Sequence, residues 1–346
     1  MSPGLENAGV LLINSGTPAA PTAEAVRPYL RELLDNPRVM RMPTPLRKLL
    51  VHGLIAPFRA GKAAQAYARI WTEEGSPLLV HSERALAGLR KRLPGTPIAL
   101  GMLCGKPSVA EGISALVDDG ARHIIAAPLY PQYAEATVGT ALALVNTEIA
   151  GHPARPALVV LPPFYDAPGF IEAWCAHTRP LLASFEPDHA LLSFHGLPER
   201  HIREADPTGN TCLVKTGCCD QIGRHNRRCY RAHCFATARG VTHGLALTPD
   251  NHSVSFQSRL GPGAWLGPAT RDRLAELPPK GVRRLAVLCP SFVVDNLETL
   301  EEIGMQGKET FLEAGGEAFL LVPSLNDNPV WLDGLATMLR DVGTEA

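Results

Sequence analysis

Residues 9–18 read GVLLINSGTP and residues 189–198 read HALLSFHGLP, so an apolar run that ends in a Gly-x-Pro turn occurs twice in the chain. Two further pairs of segments repeat in the same order. HIIAAPLYPQY at 123–133 parallels RLAVLCPSFVV at 284–294, and ALVVLPPFYDAPGFIEAW at 157–174 parallels AFLLVPSLNDNPVWLDGL at 318–335. The shared order indicates two related units, each of about four strands.

Short apolar runs bounded by Gly and Pro predict the strands of these units. Segments with helical spacing lie between most of them, and this alternation is typical of parallel sheets covered by helices on both faces. We therefore expect an α/β protein of two similar domains, each a four-stranded parallel sheet flanked by helices. The predicted strands lie near 9–13, 97–103, 122–127, 157–161, 189–194, 253–257, 284–289 and 317–322. The expected domains are 1–165 and 166–328, with a C-terminal helix over about 329–346 that packs on the first.

The charge balance excludes a general polyanion binder. The 346 residues carry 33 Lys+Arg and 34 Asp+Glu, a net charge of −1, whereas nucleic-acid binding depends on clustered positive charge. We expect no nucleic-acid partner. No apolar run approaches the roughly 20 residues of a spanning helix. The first ten residues, MSPGLENAGV, lack the basic and apolar regions of a secretory signal, so we expect a cytoplasmic protein.

Strand ends are the first places to look for chemistry, because ligands of open parallel sheets bind beyond the carboxyl ends of the strands. His195 follows the apolar run 190–194 and precedes a Gly-x-Pro turn, while its counterpart in the first repeat is Ser15. A neutral imidazole can accept a proton or bind a metal ion at pH 7, which a serine cannot do. From its position alone, a histidine satisfied by backbone carbonyls is the simpler interpretation.

Three carboxylates follow the predicted strand at 284–289. Asp295, Glu298 and Glu302 are spaced by three and four residues, which places them on one face of a helix. Asp295 to Glu298 also resembles a capping box at a helix N-terminus, and capping explains both of those acids. It does not explain Glu302, one turn further on. A column of carboxylates is suited to a divalent cation or to proton transfer.

The remaining loops give weaker signals. Neither NSGTP (14–18) nor PLYPQYAEATVGT (128–140) matches a nucleotide-binding pattern, which disfavours a nucleotide cofactor. Residues 46–67, LRKLLVHGLIAPFRAGKAAQAY, interleave apolar and basic side chains. Such a stretch usually covers a core. If exposed, it suits a large apolar dianion or a membrane surface, so peripheral membrane association is compatible with it.

Five cysteines fall within 23 residues, between Cys212 and Cys234. Free buried thiols are one explanation, and a disulfide is another that a cytoplasmic location disfavours. Zinc sites usually show CxxC spacing, which is absent here. Iron–sulfur clusters accept four thiolates at varied spacings, and the neighbouring Lys and Arg residues would offset their charge. With five cysteines for four positions, one is spare, and adjacent Cys218 and Cys219 are poorly placed to bind together.

Taken together, the sequence resembles the ferrochelatase family, whose members insert Fe²⁺ into a porphyrin to make haem. The resemblance covers nearly the whole chain. It rests on LLINSGTP (11–18), AYARIWTEEGSPL (66–78), PLYPQY (128–133), SFHGLP (193–198), QSRLGPGAWLGP (257–268), DNLETLEEI (295–303) and PSLNDNP (323–329). It implies two Rossmann-like domains around a cleft, and protoporphyrin IX and Fe²⁺ as the molecules bound. A porphyrin-donating enzyme is a partner compatible with this resemblance.

The resemblance also implies roles for individual residues. His195 matches the family's active-site histidine and Glu298 its acidic partner, so both are expected to remove pyrrole protons and to contact Fe²⁺ transiently. Glu302 would continue the acidic path outward. The residues expected around the porphyrin are Ser15, Arg69, Tyr133, Ser258, Trp265 and Phe292. Some family members carry a [2Fe–2S] cluster, for which the expected ligands here are Cys212, Cys219, Cys229 and Cys234, with Cys218 as the alternative.

The chain also departs from the family pattern. Asn296 occupies a position where some members have His, and Ser15 one where others have Tyr or Met, which affects substrate choice. A coproporphyrin ferrochelatase, a cobaltochelatase and a non-catalytic porphyrin or haem carrier are therefore the competing hypotheses. A two-lobed periplasmic binding module is a further one, which the absence of a signal sequence disfavours.

Overall fold

The computed structural model describes residues 5–259, 261 and 263–344. The chain divides into two compact units. Unit 1 runs to Leu129, continues over Glu135–Pro162 and takes in the chain from Leu335. Unit 2 consists of Tyr130–Ala134 and Pro163–Gly334. Leu260 and Pro262 of the 257–268 motif, the first four residues of the expected first domain, and the last two of the expected C-terminal helix lie outside the described residues.

Unit 1 contains a four-stranded parallel sheet in the order β2-β1-β3-β4. Its strands are β1 (Ala8–Gly16), β2 (Ile98–Cys104), β3 (His123–Pro128) and β4 (Ala157–Val160). The central strand β1 is buried along almost its whole length, which explains its unbroken apolar sequence. Leu11 and Ile13 from β1 pack against Val109 and Ile113 in the core of this unit.

Helices connect and cover this sheet. They are α1 (Ala23–Leu34), α2 (Thr44–Leu50), α3 (Ala56–Ile70), α4 (Pro77–Arg92), α5 (Val109–Asp118) and α6 (Thr140–Gly151), with π-helical segments at Val51–Ile55 and Glu135–Gly139. Local sequence sets several of their starts. Thr22 accepts a hydrogen bond from the N–H of Ala25 at the start of α1, and Ser108 forms a capping box with Glu111 at the start of α5.

Unit 2 repeats the topology of unit 1, because its parallel sheet has the order β6-β5-β7-β8. Its strands are β5 (His189–His195), β6 (His252–Gln257), β7 (Arg284–Leu288) and β8 (Ala318–Leu321). The helices are α7 (Pro168–Phe185), α8 (Glu199–Glu204), α9 (Tyr230–Gly244), α10 (Thr270–Glu276) and α11 (Lys308–Glu313), with a 3₁₀ turn at Pro278–Lys280 and a π-helical segment at Glu298–Gly307. The last helix, α12 (Pro329–Thr344), begins in unit 2 and ends in unit 1.

The structure confirms the predicted fold class of two four-stranded parallel sheets flanked by helices. Each of the eight predicted strands overlaps an observed one, and the two copies of the repeated apolar run are the equivalent strands β1 and β5. The C-terminal ends of strands are the main difference, since β1 and β5 continue to Gly16 and His195. Among the described helices, none is long and apolar enough to cross a membrane.

Candidate active site and cysteine segment

His195 is the last residue of β5, the strand that lies between β6 and β7. Its Nδ1 atom is 2.7 Å from the carbonyl oxygen of Gly196. Because a carbonyl oxygen only accepts, this contact requires the proton to be on Nδ1. The Nε2 atom of the neutral ring therefore keeps its lone pair, which can accept a proton or bind a metal ion.

Two side-chain hydroxyl groups hold the backbone of His195 and are also bonded to each other. Its N–H donates to the Ser291 hydroxyl at 3.3 Å, and its carbonyl accepts from the Tyr230 hydroxyl at 2.8 Å. The Tyr230 and Ser291 oxygens are 3.0 Å apart. Since the one hydroxyl hydrogen of Tyr230 goes to His195, Ser291 is the donor in that third bond. The three residues thus form a closed ring of hydrogen bonds.

Glu298 and Glu302 lie on the π-helical segment Glu298–Gly307. Burial raises the pKa of the Glu298 carboxyl above its ordinary value, His195 opposes the rise, and the nearby Glu302 adds to it. A carboxyl in these surroundings exchanges a proton closer to neutral pH than an exposed one does. The backbone carbonyl of Glu298 also accepts a hydrogen bond from the Gln257 side chain at 3.3 Å.

Glu302 is bound to Ser258, one of the predicted substrate contacts. The Ser258 N–H donates to one carboxylate oxygen at 2.7 Å and its hydroxyl donates to the other at 2.5 Å. Ser258 has a φ of 64°, in the left-handed region that a serine rarely adopts. Glu302 therefore holds the turn that follows β6 and is not a free surface carboxylate.

Asp295 does not continue the carboxylate column that its spacing predicts. Its side chain accepts hydrogen bonds from Thr299 at 2.9 Å and from Asn326 at 2.8 Å, and it lies before the π-helical segment. Asn296 takes the expected capping role, because its side-chain oxygen accepts from the N–H groups of Glu298 and Thr299. Asp295 is a structural residue that joins two loops.

Two predicted aromatic residues lie next to His195. The Phe292 ring is edge-on to the imidazole, with the ring centroids 6.0 Å apart. Trp265 forms an isolated bridge with Pro198, and its ring would be 3.4 Å from a Cβ atom on Gly196. That same Cβ would be 2.7 Å from the carbonyl oxygen of Gln257, so glycine is required beside His195.

Tyr133, also predicted at the substrate, is positioned by helix α9. Its N–H donates to Nδ1 of His233 at 3.1 Å, and burial lowers the pKa of His233 to about 4, so that ring is neutral. The neighbouring Gln132 donates to Thr237 of the same helix at 2.9 Å. The guanidinium of Arg228 lies over the Tyr133 ring, 5.6 Å from its centroid.

The other two predicted substrate contacts, Ser15 and Arg69, belong to unit 1. Ser15 is near the end of β1, and its N–H donates to the side chain of Asn14 at 2.8 Å. Arg69 lies in the last turn of α3 and is exposed. The described contacts bring His195, Glu298, Glu302, Ser258, Phe292 and Trp265 into one region of unit 2.

The cysteine segment, residues 206–234, contains five buried thiols. All eight cysteines of the chain are free. The sulfur atoms of Cys218 and Cys219 are 3.8 Å apart, and the Cys229 side chain forms hydrogen bonds with those of Cys212 and Cys219. Cys234 is fully buried on α9, one helical turn after Tyr230.

Residues 206–229 contain no helix or strand, so side chains organise them. Asp206 accepts hydrogen bonds from the N–H groups of Thr208, Thr211 and Cys212, and the buried Asn226 donates to the carbonyl oxygens of Cys218 and Gln221. A loop of this length in a compact domain usually has a function of its own.

A positive charge accompanies the thiols. The Arg231 guanidinium is 3.1 Å from the sulfur of Cys219, where it opposes the rise in the pKa of that thiol that the contact with Cys229 and burial cause. Burial raises the pKa of the Cys212 and Cys218 thiols, so a bound metal would have to displace their protons. In residues 5–259, 261 and 263–344, no three His, Cys, Asp or Glu side chains form a group ready to hold a metal ion. The donor set fits a thiolate-bound group in kind and number, and binding requires the sulfur atoms to move.

Sequence reasoning missed the residues that hold the site together. Tyr230 and Ser291 are 35 and 96 positions from His195, so no local pattern connects them. Gln257 was noticed only as part of a motif, although its side chain accepts from Ser193 at 2.6 Å and donates to Glu298. Gln257 ends β6 and pairs with His195 in the sheet register. A correct prediction of the sheet topology could have identified Gln257 as a neighbour of His195 from this position.

Solved structures and curated sequences agree on the class of this fold. The sirohydrochlorin chelatase SirB from Bacillus subtilis, solved with Fe³⁺, matches with a TM-score of 0.55 at 10% identity, covering 98% of this chain and 96% of that one. This likeness defines a chelatase fold. The ferrochelatase family model matches residues 7–342.

Close sequence relatives are named ferrochelatase. One from Pseudomonas entomophila is 44% identical over 333 residues, 96% of this chain and 98% of that protein. Another, from Azotobacter vinelandii, is 43% identical over 335 residues with the same coverage. The chain belongs to the ferrochelatase family, and it is an enzyme of the metal chelatase class.

Proposed function

We propose that the protein inserts Fe²⁺ into protoporphyrin IX, with His195 and Glu298 as the residues that act on the reacting atoms. Insertion replaces two pyrrole N–H protons by one Fe²⁺ ion, so the site must accept protons and contact the metal. The observation that carries the proposal is the Nδ1–H bond to Gly196, which leaves Nε2 of His195 as a base. Imidazole nitrogen and carboxylate oxygen are both ligands that Fe²⁺ accepts.

Glu298 is suited to pass protons on from His195. Burial raises its pKa above the ordinary value, which makes the carboxylate a better proton acceptor than an exposed one. Glu302, the next carboxylate on the π-helical segment, already accepts two hydrogen bonds from Ser258. We place it one step outward from Glu298, as an acceptor that stabilises a proton leaving the site.

The remaining predicted contacts would hold the porphyrin. Phe292 and Trp265 offer apolar faces beside His195. Tyr133 offers a ring with the Arg228 cation over it, and a cation in that position suits a propionate group of the porphyrin. Ser15, Arg69 and Ser258 complete the set that the family resemblance implies for substrate binding.

The test is an anaerobic insertion assay that follows the loss of protoporphyrin IX fluorescence with Fe²⁺. We expect turnover by the native protein and almost none by His195→Ala. His243→Ala is the matched control, because His243 also precedes a glycine but is exposed at the end of α9. Equal turnover by His195→Ala would remove His195 from the reaction. Running coproporphyrin and Co²⁺ in parallel distinguishes the two competing chelatase activities, and tight porphyrin binding without turnover would indicate a carrier.

We also propose that the cysteine segment binds a [2Fe–2S] cluster through Cys212, Cys219, Cys229 and Cys234. The support is the contact of Cys229 with Cys212 and Cys219, together with the Arg231 cation beside Cys219. Four thiolates and a nearby cation suit such a cluster. Cys218 would be the spare thiol, since its immediate neighbour Cys219 is the one that the cation contacts.

Iron and acid-labile sulfide in anaerobically purified protein test this assignment. Cys218→Ser should retain both, while Cys219→Ser should lose them. If the purified protein contained zinc but no acid-labile sulfide, the segment would be a zinc site and not an iron–sulfur site. The opposite pattern, with iron lost only in Cys218→Ser, would exchange the roles of the two neighbours.

Unit 1 carries a surface that we assign to peripheral membrane contact. Leu49 and Phe58 are 72% and 77% exposed, and the basic residues Lys48, Arg59 and Lys62, close to them in the sequence, are exposed as well. Exposed apolar side chains interleaved with cations along the sequence favour an anionic lipid surface. Co-sedimentation with vesicles of anionic phospholipid should fall in the double variant Leu49→Ser, Phe58→Ser. Leu312→Ser, which changes an exposed leucine of α11, should bind like the native protein.

A further inference from the structure

We propose that Gln257 is a positioning residue that fixes Glu298 relative to His195, and that a one-way chain of buried hydroxyl groups sets the orientation of its side-chain amide. Gln257 is the last residue of β6 and pairs with His195 at the end of β5. Its side chain is buried, so its polar atoms need partners within the protein. The inference rests on the role in the reaction that we propose for Glu298.

Gln257 contacts both sides of the proposed reaction site through different atoms. Its backbone carbonyl oxygen accepts from the N–H of Gly196, the residue after His195, at 2.7 Å. Its side-chain nitrogen donates to the backbone carbonyl of Glu298 at 3.3 Å. The first contact holds the tip of β5, and the second holds the start of the π-helical segment. One residue therefore links the two backbones that carry the imidazole and the carboxylate.

The orientation of the Gln257 amide follows from the groups around it. The Glu298 carbonyl can only accept, so the amide nitrogen must face it. The amide oxygen then faces Ser193, whose hydroxyl donates to it at 2.6 Å. The Cys289 thiol, 3.6 Å from the same oxygen, is a second and weaker donor. An inverted amide would place its oxygen against a carbonyl oxygen, so only one orientation satisfies all three contacts.

Two further hydroxyl groups continue the chain that begins at the amide oxygen. Ser193 gives its one hydrogen to Gln257, so it accepts from Thr270 at 2.8 Å. Thr270 has then used its own hydrogen and accepts from Ser255 at 2.9 Å. The hydrogen bonds thus run in one direction, from Ser255 at the far end to the amide of Gln257. All three hydroxyl residues are buried, so each open link would cost free energy.

The consequence for the reaction is a fixed separation between imidazole and carboxylate. A reaction site has to be held within about 0.5 Å of its productive geometry by residues whose own positions are fixed. Loss of the Gln257 amide would free the start of the π-helical segment, whereas loss of the hydroxyl group at the far end would leave that contact in place. We expect the effect of a substitution on turnover to decrease along the chain away from Gln257, while its effect on stability does not.

Carbonyl NMR measures the contact directly. The chain has two Glu-Thr pairs, at Glu298 and Glu309, so ¹³C-carbonyl glutamate combined with ¹⁵N-threonine gives two signals in one spectrum. Gln257→Met keeps the length of the side chain but lacks the amide. It should move the Glu298 signal and leave the Glu309 signal in place. An unmoved Glu298 signal in folded Gln257→Met would overturn the contact and with it the proposal.

Ser193→Ala and Ser255→Ala form a matched pair. The two serines are register partners on β5 and β6, both are fully buried, and each substitution removes one hydroxyl group of the same chain. Urea denaturation should show similar losses of stability. Only Ser193→Ala should move the Glu298 signal, because the amide oxygen of Gln257 then loses its closest donor. Equal movement in both variants would reveal a general structural effect and overturn the directional chain.

Kinetics connect the contact to the reaction. We expect kcat to fall about tenfold in Gln257→Met and about threefold in Ser193→Ala, with KM for the porphyrin unchanged, because Glu298 is displaced. The fall in Ser255→Ala should be less than about twofold. Native kcat in Gln257→Met, together with an inactive Glu298→Gln, would overturn the positioning role alone. Full turnover by Glu298→Gln would instead overturn the proposed role of Glu298.

Discussion

Ser258 donates two hydrogen bonds to the two oxygens of one carboxylate, that of Glu302, while its own backbone is in the left-handed conformation. The carboxylate thus compensates for a backbone conformation that costs a serine about 1–2 kcal/mol. Glu302 has a structural role in this turn in addition to the proton-accepting role that we propose for it.

Replacement of Ser258 should separate the contribution of its hydroxyl bond to Glu302 from the cost of its left-handed backbone. Ser258→Ala keeps the strain and loses the hydroxyl bond to Glu302, which should cost about 1.5–3 kcal/mol of unfolding free energy. Ser258→Gly loses the same bond but relieves the strain, so it should be more stable than Ser258→Ala by about 1 kcal/mol. Urea denaturation measures both. Equal stability of the two variants would contradict the strain argument.

Gly196→Ala should disturb His195 directly. The new Cβ would be 2.7 Å from the Gln257 carbonyl oxygen, and neither backbone can move without shifting the end of β5. Overpacking of this kind costs about 1–3 kcal/mol, and displacement of the base by a fraction of an ångström to about 1 Å should lower kcat by up to about 100-fold.

Gly61→Ala is the matched control for that experiment. Gly61 lies within α3, and a Cβ there would meet no atom within 4 Å. Because alanine favours a helix over glycine, this variant should be about 0.5–1 kcal/mol more stable and fully active. Equal loss of activity in Gly61→Ala and Gly196→Ala would mean that the enzyme is sensitive to any added methyl group. The loss in Gly196→Ala would then not be due to displacement of His195.

His189 should make the stability of the protein depend on pH. Burial, with Arg273 and His252 nearby, lowers the pKa of His189 to about 4, so the folded state binds fewer protons than the unfolded chain between about pH 4 and the ordinary histidine pKa. Stability from this group is complete above that ordinary pKa and is lost as the pH falls towards 4. At pH 5 the loss should be about 2 kcal/mol relative to pH 7.

His189→Gln removes the titrating group and can still bond to the Ser253 hydroxyl, which is 2.8 Å from the His189 ring. The difference in unfolding free energy between native protein and variant should therefore shrink as the pH falls from 7 to 5. The pH-dependent contributions of all other groups are the same in both proteins and cancel in this difference. A difference that is constant with pH would show that His189 titrates normally.

Asp206→Asn should loosen the cysteine segment. Asn has one oxygen acceptor, whereas the Asp206 carboxylate accepts from three backbone N–H groups and from the Thr208 hydroxyl with its two oxygens. We expect faster tryptic cleavage at the arginines of the segment and weaker retention of iron. The matched variant Asp220→Asn changes an exposed acid in the same segment. Equal cleavage of the two variants would mean that Asp206 does not organise the loop.

The sequence predicts the sheets well because their inner strands, β1 and β3 in unit 1 and β5 and β7 in unit 2, are buried on both faces. β1 and β5 read as unbroken apolar runs, and the Gly-x-Pro turns after them identify the strand ends. His195 and Glu298 were predicted as site residues for the same reason, since His195 ends β5 and Glu298 lies in the segment after β7. Strand ends and repeats are local features that one sequence contains.

The π-helical segment and the hydrogen-bond ring could not be predicted in this way. Residues Glu298–Gly307 have the composition of an ordinary helix, so their spacing suggested a column that begins at Asp295. The partners of Asp295 are Thr299, Ser324 and Asn326, two of which lie on a later loop. Tyr230 and Ser291 likewise meet His195 only after the sheet has formed. Contacts between distant segments depend on tertiary structure, which periodicity does not encode.

Helix α12 has a consequence for the order in which the protein folds. It belongs to unit 2 as far as Gly334 and to unit 1 from Leu335 onward, and its Arg340 side chain donates to the carbonyl of Arg92 at 2.8 Å. Unit 1 therefore lacks one of its own elements until the residues from Leu335 to Thr344 have left the ribosome. After synthesis of about the first 160 residues, the core of unit 1 is still incomplete, because the second half of α12 has not been made. A chaperone that shields this exposed core until α12 is made would raise the yield of native protein.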